Sequence, residues 1–239
     1  MTIASDCLQN SLLGALSEDA RRRIFPKLKR VEMPLGEVIY ESGQTIEYVY
    51  FPIDCIISLL YVMIDGASAE ISVVGNEGMA GVAVIMGGES TPSRSVVQSR
   101  GYAYRMAASE MKTEFNNYSE IRILTLQFTQ ALITQMSQTA VCNRHHTIDQ
   151  QLCRWLLLSL DRLGGNRLNM TQELIANMLG VRREGVTQAA GKLQKLGVIE
   201  YQRGQILVLD RPQLETLSCE CYSVVRYENS RLEAKRLKF

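Results

Sequence analysis

The spacing of apolar residues changes along the chain, and each change marks a different kind of predicted secondary structure. Residues 8–28 carry helix signals, with Ser17 as an N-cap before two acidic residues and Pro26 ending the pattern. From Lys29 the pattern becomes short alternating runs separated by Gly, Pro and Asp, which is typical of an antiparallel barrel or sandwich. The runs predicted as strands are 38–40, 48–51, 55–63, 70–74, 96–98 and 102–106.

The helical period returns in residues 119–146, a segment roughly 40 Å long as a helix. Its apolar stripe consists of Ile121, Leu124, Phe128, Ala131, Leu132 and Met136. Such a stripe on a long helix between two domains predicts a dimer seam, whereas a monomer would bury it against its own strand-rich half. A second amphipathic helix follows, beginning at Thr147 or Asp149 and ending at Gly164 and Gly165.

Residues 170–196 predict two short helices joined by a tight turn. The first has an apolar stripe of Leu174, Ile175, Met178 and Leu179, and the second has one of Val186, Ala189, Ala190, Leu193 and Leu196. Gly180 lies between them and suits the positive φ of the turn, while Thr171 is placed to cap the first helix. This is the pattern of a helix-turn-helix, and an ordinary helical hairpin with a solvated face is the alternative.

Polar residues occupy the outward face at the start of the second helix. They are Arg182, Arg183, Glu184, Thr187 and Gln188. Because Arg binds guanine with two bonds, Glu accepts from cytosine and Gln binds adenine, this face is predicted to contact bases of double-stranded DNA. The predicted phosphate contacts are Thr171, Gln172, Lys192 and Arg203. Residues 197–210 alternate around Arg203 and Gly204 and predict a hairpin, which makes the module a winged helix-turn-helix.

Charge is unevenly distributed, although the 239-residue chain has a net charge of only +1. Residues 150–239 contain 14 Lys+Arg against 9 Asp+Glu, whereas residues 1–149 contain 12 against 16. The basic half is therefore the half with the DNA-binding motif. The longest strongly apolar run, residues 56–64, is too short to cross a bilayer, and the N-terminus lacks a secretory pattern. We expect no membrane association and a cytoplasmic location.

Six cysteines are scattered along the chain without a CxxC pair, which favours free thiols in a reducing compartment. Cys142, His145 and His146 fall at helical spacing and are residue types that bind zinc or haem. Histidine at an interdomain elbow more often serves packing or capping. The thiols of Cys219 and Cys221 would lie on opposite faces of a strand and about 200° apart on a helix, a poor arrangement for a redox or cluster site. The sequence therefore assigns no metal and no cofactor.

The segment Met33-Pro-Leu-Gly-Glu-Val-Ile-Tyr-Glu-Ser-Gly43, followed by Tyr50 and Phe51, is similar to the opening of a cyclic-nucleotide-binding-type jelly roll, with Gly36 and Gly43 at its turns. Together with the winged helix-turn-helix, residues 16–222 resemble a Crp/Fnr-family transcription regulator. Arg183 and Glu184 match the first two positions of that family's Arg-Glu-x-x-x-Arg pattern. Gln188 stands where the last Arg is usual, so the resemblance does not imply the base preference there.

The resemblance places an effector site in residues 75–95. Arg94 and Ser95 match the pair that binds the cyclic phosphate in family members, but Met79 aligns with the carboxylate that binds the ribose. A methionine cannot accept a hydrogen bond from a ribose hydroxyl in that way. Glu77, two residues earlier, is a shifted carboxylate, and the expected effector region is Glu77, Gly78, Met79, Arg94 and Ser95. The alternative is a roll kept only as a scaffold.

The predicted fold class is α+β. It comprises an N-terminal antiparallel β jelly roll (1–118), a long dimerisation helix (119–146), a C-terminal winged helix-turn-helix domain (147–227) and a charged tail (228–239), either frayed or an added basic contact. The predicted function is a homodimeric transcription regulator on a two-fold-symmetric DNA site, with an unidentified small-molecule effector and RNA polymerase as candidate partners. A metal, haem or redox sensor acting through a protein partner is the alternative. No catalytic constellation indicates an enzyme.

Overall fold

The computed structural model describes residues 6–236. The chain begins with two short helices, α1 (Ser11–Gly14) and α2 (Glu18–Ile24), and a 3-10 turn at Phe25–Lys27. Ser17 caps α2 as predicted, because its hydroxyl accepts a hydrogen bond from the Ala20 amide at 3.3 Å.

Seven strands form the predicted antiparallel roll. They are β1 (Lys29–Met33), β2 (Val38–Tyr40), β3 (Tyr48–Pro52), β4 (Ile56–Val62), β5 (Ser68–Val74), β6 (Arg94–Ser99) and β7 (Gly101–Ala107). One sheet has the strand order β1-β7-β3 and the other the order β2-β6-β4-β5, with antiparallel neighbours throughout. The apolar faces of the two sheets enclose the N-terminal core.

Strand β1 is absent from the strands predicted by alternation. Only Val31 and Met33 of its five residues are apolar, and of these only Met33 is buried. The strand exists because it pairs in register with β7, from Lys29 opposite Arg105 to Met33 opposite Gly101. Its backbone pairing, and not its hydrophobic pattern, places it in the sheet.

Helix α3 (Ala108–Asn117) and the long helix α4 (Ser119–His145) follow β7. The apolar stripe predicted as a dimer seam is buried within the chain. Its members Ile121, Leu124, Phe128, Ala131 and Leu132 are 1–5% exposed, and all of them except Ala131 belong to the same core as the roll. Gly78 allows the close approach, because a Cβ at that position would lie 1.9 Å from the Phe128 ring. The seam prediction was wrong for this stripe, since helical periodicity shows that a face is buried but not what covers it.

The C-terminal part is the predicted winged helix-turn-helix with additions. Its elements are α5 (Ile148–Leu163), β8 (Arg167–Asn169), α6 (Gln172–Leu179), α7 (Arg183–Lys195), β9 (Ile199–Gln202), β10 (Gln205–Val208), α8 (Arg211–Leu217) and α9 (Glu220–Arg236). The predicted hairpin is β9 and β10, and β8 joins it to give the order β8-β10-β9. Thr147 caps α5 in a capping box with Gln150.

The segment predicted as a charged tail is helical as far as Arg236, and residues 237–239 lie outside the described part. Helix α9 packs along α4 and buries Tyr222, Val225 and Leu232. These three residues share one helical face, but they are few, widely spaced and surrounded by charged residues, so the sequence pattern did not predict this helix. No helix of residues 6–236 is long and apolar enough to span a membrane.

The winged domain is docked on the roll by polar contacts as well as by packing. Trp155 of α5 donates its indole N–H to the Glu70 carboxylate of β5 at 3.1 Å. Near the end of α5, Arg162 pairs with Glu77 at 2.7 Å. At the turn after α6, a Cβ on Gly180 would lie 3.2 Å from the Ala69 side chain of β5. The orientation of the helix-turn-helix is therefore tied to one sheet of the roll.

Candidate nucleic-acid interface, effector region and Cys–His cluster

The turn between α6 and α7 has the geometry that its sequence predicts. The Thr171 hydroxyl accepts from the Leu174 amide at 3.2 Å and caps α6. Gly180 ends that helix with φ 65°, a conformation that costs glycine little. The apolar face of α7, including Val186 and Leu193, is buried against the domain core. The two helices therefore form a helix-turn-helix and not a loose hairpin.

All five residues predicted to contact bases lie on the exposed face of α7 or at its N-cap. They are Arg182, Arg183, Glu184, Thr187 and Gln188. Arg182 is the N-cap residue, and its side chain is exposed and makes no capping bond. The Thr187 hydroxyl donates to Gln172 at 2.7 Å and thereby joins the two helices on this surface. Base contact by these residues stays a prediction.

The four residues predicted to contact phosphates have different surroundings. Thr171 is exposed but serves as the cap of α6, and Gln172 accepts from Thr187. Lys192 pairs with Asp149 at 2.7 Å, so its charge is already partly balanced. Arg203 is exposed at the tip of the β9–β10 hairpin, where its φ of 49° and the φ of 78° at Gly204 form the tight turn. Of the four candidates, Arg203 on the wing is therefore the residue best placed to contact a phosphate.

The expected effector residues do not converge on one cavity in the described structure. Glu77 lies in the turn after β5 and pairs with Arg162, while Gly78 packs on Phe128 of α4. Met79 is fully buried in the roll core. The two charged candidates therefore bind protein groups: Glu77 faces α5, and Arg94 pairs with Glu41 at 3.1 Å.

Ser95 is the remaining expected effector residue, and it is fully buried on β6. It lies beside Tyr40, whose own burial raises the pKa of the phenol to about 12. Tyr40 also lines a cavity of about 480 Å³ together with Tyr48, Tyr50 and Arg105. The guanidinium of Arg105 lies 4.3 Å from the centre of the Tyr48 ring. This cavity has the size of a small-molecule site, and its lining has one basic group, Arg105, and one acidic group, Glu47.

A hydrogen-bonded group at the interface between the roll and α5 contains a buried acid. Glu70 is 8% exposed, and burial raises the pKa of its carboxyl to about 7. The Ser58 Oγ lies 2.5 Å from Glu70 Oε2 and 2.6 Å from Gln98 Oε1. One hydroxyl proton cannot serve two acceptors, whereas a protonated Glu70 donates to Ser58 and leaves Ser58 to donate to Gln98. Sequence reasoning missed this acid, because it stands in an ordinary strand.

The structure brings four residues together that the sequence kept apart: Cys142, His146, Cys219 and Cys221, which we call the Cys–His cluster. The Sγ atoms of Cys142 and Cys219 are 3.6 Å apart, and Cys221 Sγ is 3.6 Å from His146 Nδ1. The Cys142 thiol lies within hydrogen-bonding distance of the Cys219 sulfur, and this contact lowers the pKa of Cys219. His145 is exposed and is not part of the cluster.

The four side chains come together because two of them, those of His146 and Cys219, belong to residues outside regular helix. His146 is the extended C-cap residue of α4, with φ −106° and ψ 154°. Cys219 lies in the junction between α8 and α9, and Cys221 in the first turn of α9. Neither the helical nor the strand angle therefore applies to Cys219 and Cys221. All six cysteines are free in the described structure, but three that are far apart in the sequence are gathered in the cluster.

Comparisons with known proteins agree with this geometry. Residues 150–217 match the Crp-like helix-turn-helix domain family. FixK2 from Bradyrhizobium japonicum has a TM-score of 0.69 over 80% of this chain and 98% of its own, at 18% identity. A CRP-family transcriptional regulator from Thermus thermophilus has a TM-score of 0.66 over 80% and 96%, at 16% identity. The chain has the fold of the Crp/Fnr transcription regulators.

A third solved structure with this fold is of a regulator described as responsive to c-di-GMP. The c-di-GMP responsive global regulator CLP of Xanthomonas campestris has a TM-score of 0.65 over 81% of this chain and 100% of its own, at 12% identity. No curated protein sequence matches the chain. At such low identities the likeness shows a shared fold, so the ligand of a neighbour does not transfer to this chain.

Proposed function

We propose that the protein is a sequence-specific DNA-binding transcription regulator that acts as a homodimer on a two-fold-symmetric site. The observation that carries the proposal is the exposed polar start of α7, held by a capped helix and a glycine turn in a Crp-like helix-turn-helix domain. A helix presented in this way fits the major groove of B-DNA. The basic balance of the C-terminal part favours the phosphate backbone.

Base readout is assigned to the N-terminal part of α7. Arg183 is exposed and lies 4.0 Å from Glu173, a distance at which the exposed pair contributes little and gives way to a guanine edge. Gln188, five residues later, is suited to adenine. Arg203 on the wing tip is assigned to a phosphate, because it is exposed on a loop and outside the helix that enters the groove.

A dimer seam is assigned to the exposed face of α4. With the predicted stripe covered by the roll, the large apolar residues exposed on this helix are Leu126, Ile133 and Val141, at 49%, 53% and 47%. Their spacings of seven and eight residues keep them on one side of the helix. Large exposed apolar residues in such a row are typical of a helix that packs against a second helix.

The effector is assigned to the roll and is not a cyclic nucleotide bound in the manner of the family. Met79 presents no ribose acceptor, and Glu77 and Arg94 pair with protein groups. The cavity beside Arg105 is the candidate pocket for a small polar ligand, because Arg105 and Glu47 both line it. Contact with RNA polymerase is the route by which a regulator of this kind would act at a promoter.

The test is selection of DNA from a random pool by the full-length protein in gel shifts at several salt concentrations. Enrichment of a palindrome with salt-sensitive affinity is expected. Arg183→Ala should lose about 1–3 kcal/mol of discrimination at one base pair, whereas Arg203→Ala should weaken binding to all sequences alike. Arg100→Ala, an exposed arginine on the roll, is the matched control. Recovery of random sequence, or equal losses for Arg183→Ala and Arg100→Ala, would contradict the proposal.

A second candidate function, a metal or redox sensor acting through a protein partner, is favoured by one observation, the Cys–His cluster. Its chemistry is separable from DNA binding, because it is measured on the protein alone. A partner protein captured only in one metal or thiol state, with no DNA selected, would favour this second function over the first.

A further inference from the structure

The Cys–His cluster joins two segments that are distant in sequence. Cys142 and His146 stand at the end of α4, and Cys219 and Cys221 stand at the start of α9. The four candidate ligand atoms all lie within 4.8 Å of one another. The three cysteines are 1–5% exposed and form a small core of their own. The convergence of three buried thiols and an imidazole on one point therefore needs a physical explanation.

A tetrahedral zinc ion supplies that reason. With Zn–S bonds of about 2.3 Å and a Zn–N bond of about 2.0 Å, tetrahedral geometry sets sulfurs about 3.8 Å apart and sulfur and nitrogen about 3.5 Å apart. Two distances within this cluster, 3.6 Å for Cys142 to Cys219 and 3.6 Å for Cys221 to His146, match those edges. We propose that Cys142, His146, Cys219 and Cys221 bind one zinc ion, His146 through Nδ1.

The surroundings suit such an ion. Glu220 lies 3.3 Å from His146 Nε2, the ring nitrogen that faces away from the sulfurs, and a carboxylate there fixes the tautomer that leaves Nδ1 as the ligand. Three thiolates, one neutral imidazole and Zn²⁺ have a net charge of −1. The buried guanidinium of Arg154, which lines the same cavity as Cys142, offsets that charge.

Other occupants fit less well. Calcium and magnesium need oxygen ligands, and the cluster presents sulfur and nitrogen. An iron–sulfur cluster separates its thiolates across several atoms, whereas these ligand atoms converge on one point. A disulfide between Cys142 and Cys219 would use two of the residues and leave the convergence of Cys221 and His146 unexplained. Because four protein ligands fill a tetrahedron, the site is closed and structural and not catalytic.

The position of the site gives it a mechanical role. It closes a loop from α4 to α9 that contains the whole of α5 to α8, and so contains the helix-turn-helix. Zinc would therefore fix the end of α4 against the winged domain at the elbow where the two parts meet. Loss of the metal would free that elbow, which makes the proposed DNA affinity sensitive to zinc.

The test uses full-length, tag-free protein purified without chelators from zinc-supplemented cells. Elemental analysis is expected to find about one zinc per chain in the wild type, and below about a tenth of that in Cys219→Ser and His146→Ala. Two control variants should keep the metal. One is His145→Ala, at the exposed histidine next to the cluster; the other is Cys55→Ser, in which the serine hydroxyl retains the hydrogen bond that the Cys55 thiol donates to the Tyr102 carbonyl. Equal zinc in all variants, or none in the wild type, would overturn the proposal.

A second measurement keeps the proposal falsifiable if a variant misfolds. Titration of the metal-free wild type with Co²⁺ should give, at one equivalent, the visible bands of tetrahedral cobalt and a near-ultraviolet thiolate band, both removed by Zn²⁺. His146→Cys should retain tetrahedral binding with an enhanced thiolate band. Thiols are also counted in the denatured protein without reduction, where four reactive thiols instead of six would reveal a disulfide. A wild type that contains this disulfide and gives no cobalt bands would refute the zinc proposal. These readouts need no DNA, so they stand or fall separately from the proposed function.

Discussion

The buried acid Glu70 gives the sharpest prediction for stability. Its pKa is raised from near 4.5 to about 7, mainly by burial, and its neutral form satisfies both Ser58 and Trp155. A carboxyl whose folded pKa is raised stabilises the folded state fully below the unfolded pKa, and this contribution is lost as pH rises through the folded pKa. The relevant window is therefore about pH 4.5 to 7. A shift of this size corresponds to about 3 kcal/mol.

The perturbation is Glu70→Gln, which keeps the shape of the side chain and removes its titration. The wild type should lose about 3 kcal/mol of its free energy of unfolding relative to Glu70→Gln between pH 4.5 and 7.5. The matched control is Glu32→Gln, at an exposed glutamate of β1, whose curve should run parallel to that of the wild type.

The assay is urea unfolding at fixed protein concentration, followed by fluorescence. The chain has one tryptophan, Trp155, and its indole is hydrogen-bonded to Glu70, so the probe stands at the titrating group. Concentration is fixed because association would otherwise change the apparent stability. If the wild type and Glu70→Gln lost stability in parallel across this window, Glu70 would be ionised in the folded state and the reasoning would be refuted.

Three further predictions test packing, assembly and ligand choice. Gly78→Ala should lower the free energy of unfolding by about 1–3 kcal/mol, because its Cβ would lie 1.9 Å from the Phe128 ring. The control Gly191→Ala in α7 has open space around its Cβ and should raise that free energy by roughly 0.5–1 kcal/mol. Thermal unfolding measures both variants, and a Gly78→Ala protein as stable as the wild type would contradict the close approach. Leu126→Glu should convert the dimer to a monomer in light scattering, while Leu35→Glu, at an equally exposed leucine, should not; a dimeric Leu126→Glu would move the seam elsewhere. Cyclic AMP and cyclic GMP should leave the Tm unchanged, and a clear rise with either would show that the roll binds it.

Sequence patterns predicted those parts of the protein whose structure depends on residues close together in the chain. The helix-turn-helix was predictable because a cap at Thr171, a positive-φ glycine at Gly180 and two apolar stripes are all encoded within residues 170–196. The exposed face of α7 follows from the same stripes. What these residues touch in DNA lies outside such patterns, so base contact stays a prediction.

Contacts between residues that are distant in the chain could not be predicted from local sequence patterns, for a physical reason. The stripe of α4 showed that a face would be buried, but the roll and a second subunit are equally apolar covers. The Cys–His cluster depends on α9 folding back along α4, which brings Cys219 within 3.6 Å of Cys142, 77 positions earlier. Spacing rules consider neighbours on one element, and here the ligands come from two elements and two non-helical junctions.

Three of the contacts that hold helix α5 are spread along its length, and they limit how a signal can reach DNA. Its preceding elbow contains the proposed zinc site at His146, its middle contacts Glu70 through Trp155, and its last turn pairs with Glu77 through Arg162. A helix fixed at three points moves as a rigid body or not at all. Because α6 and α7 pack on α5 in one core, any change in the roll that repositions α5 must reposition the recognition helix with it. Ionisation of Glu70 and loss of the metal would therefore act on the same element from two sides.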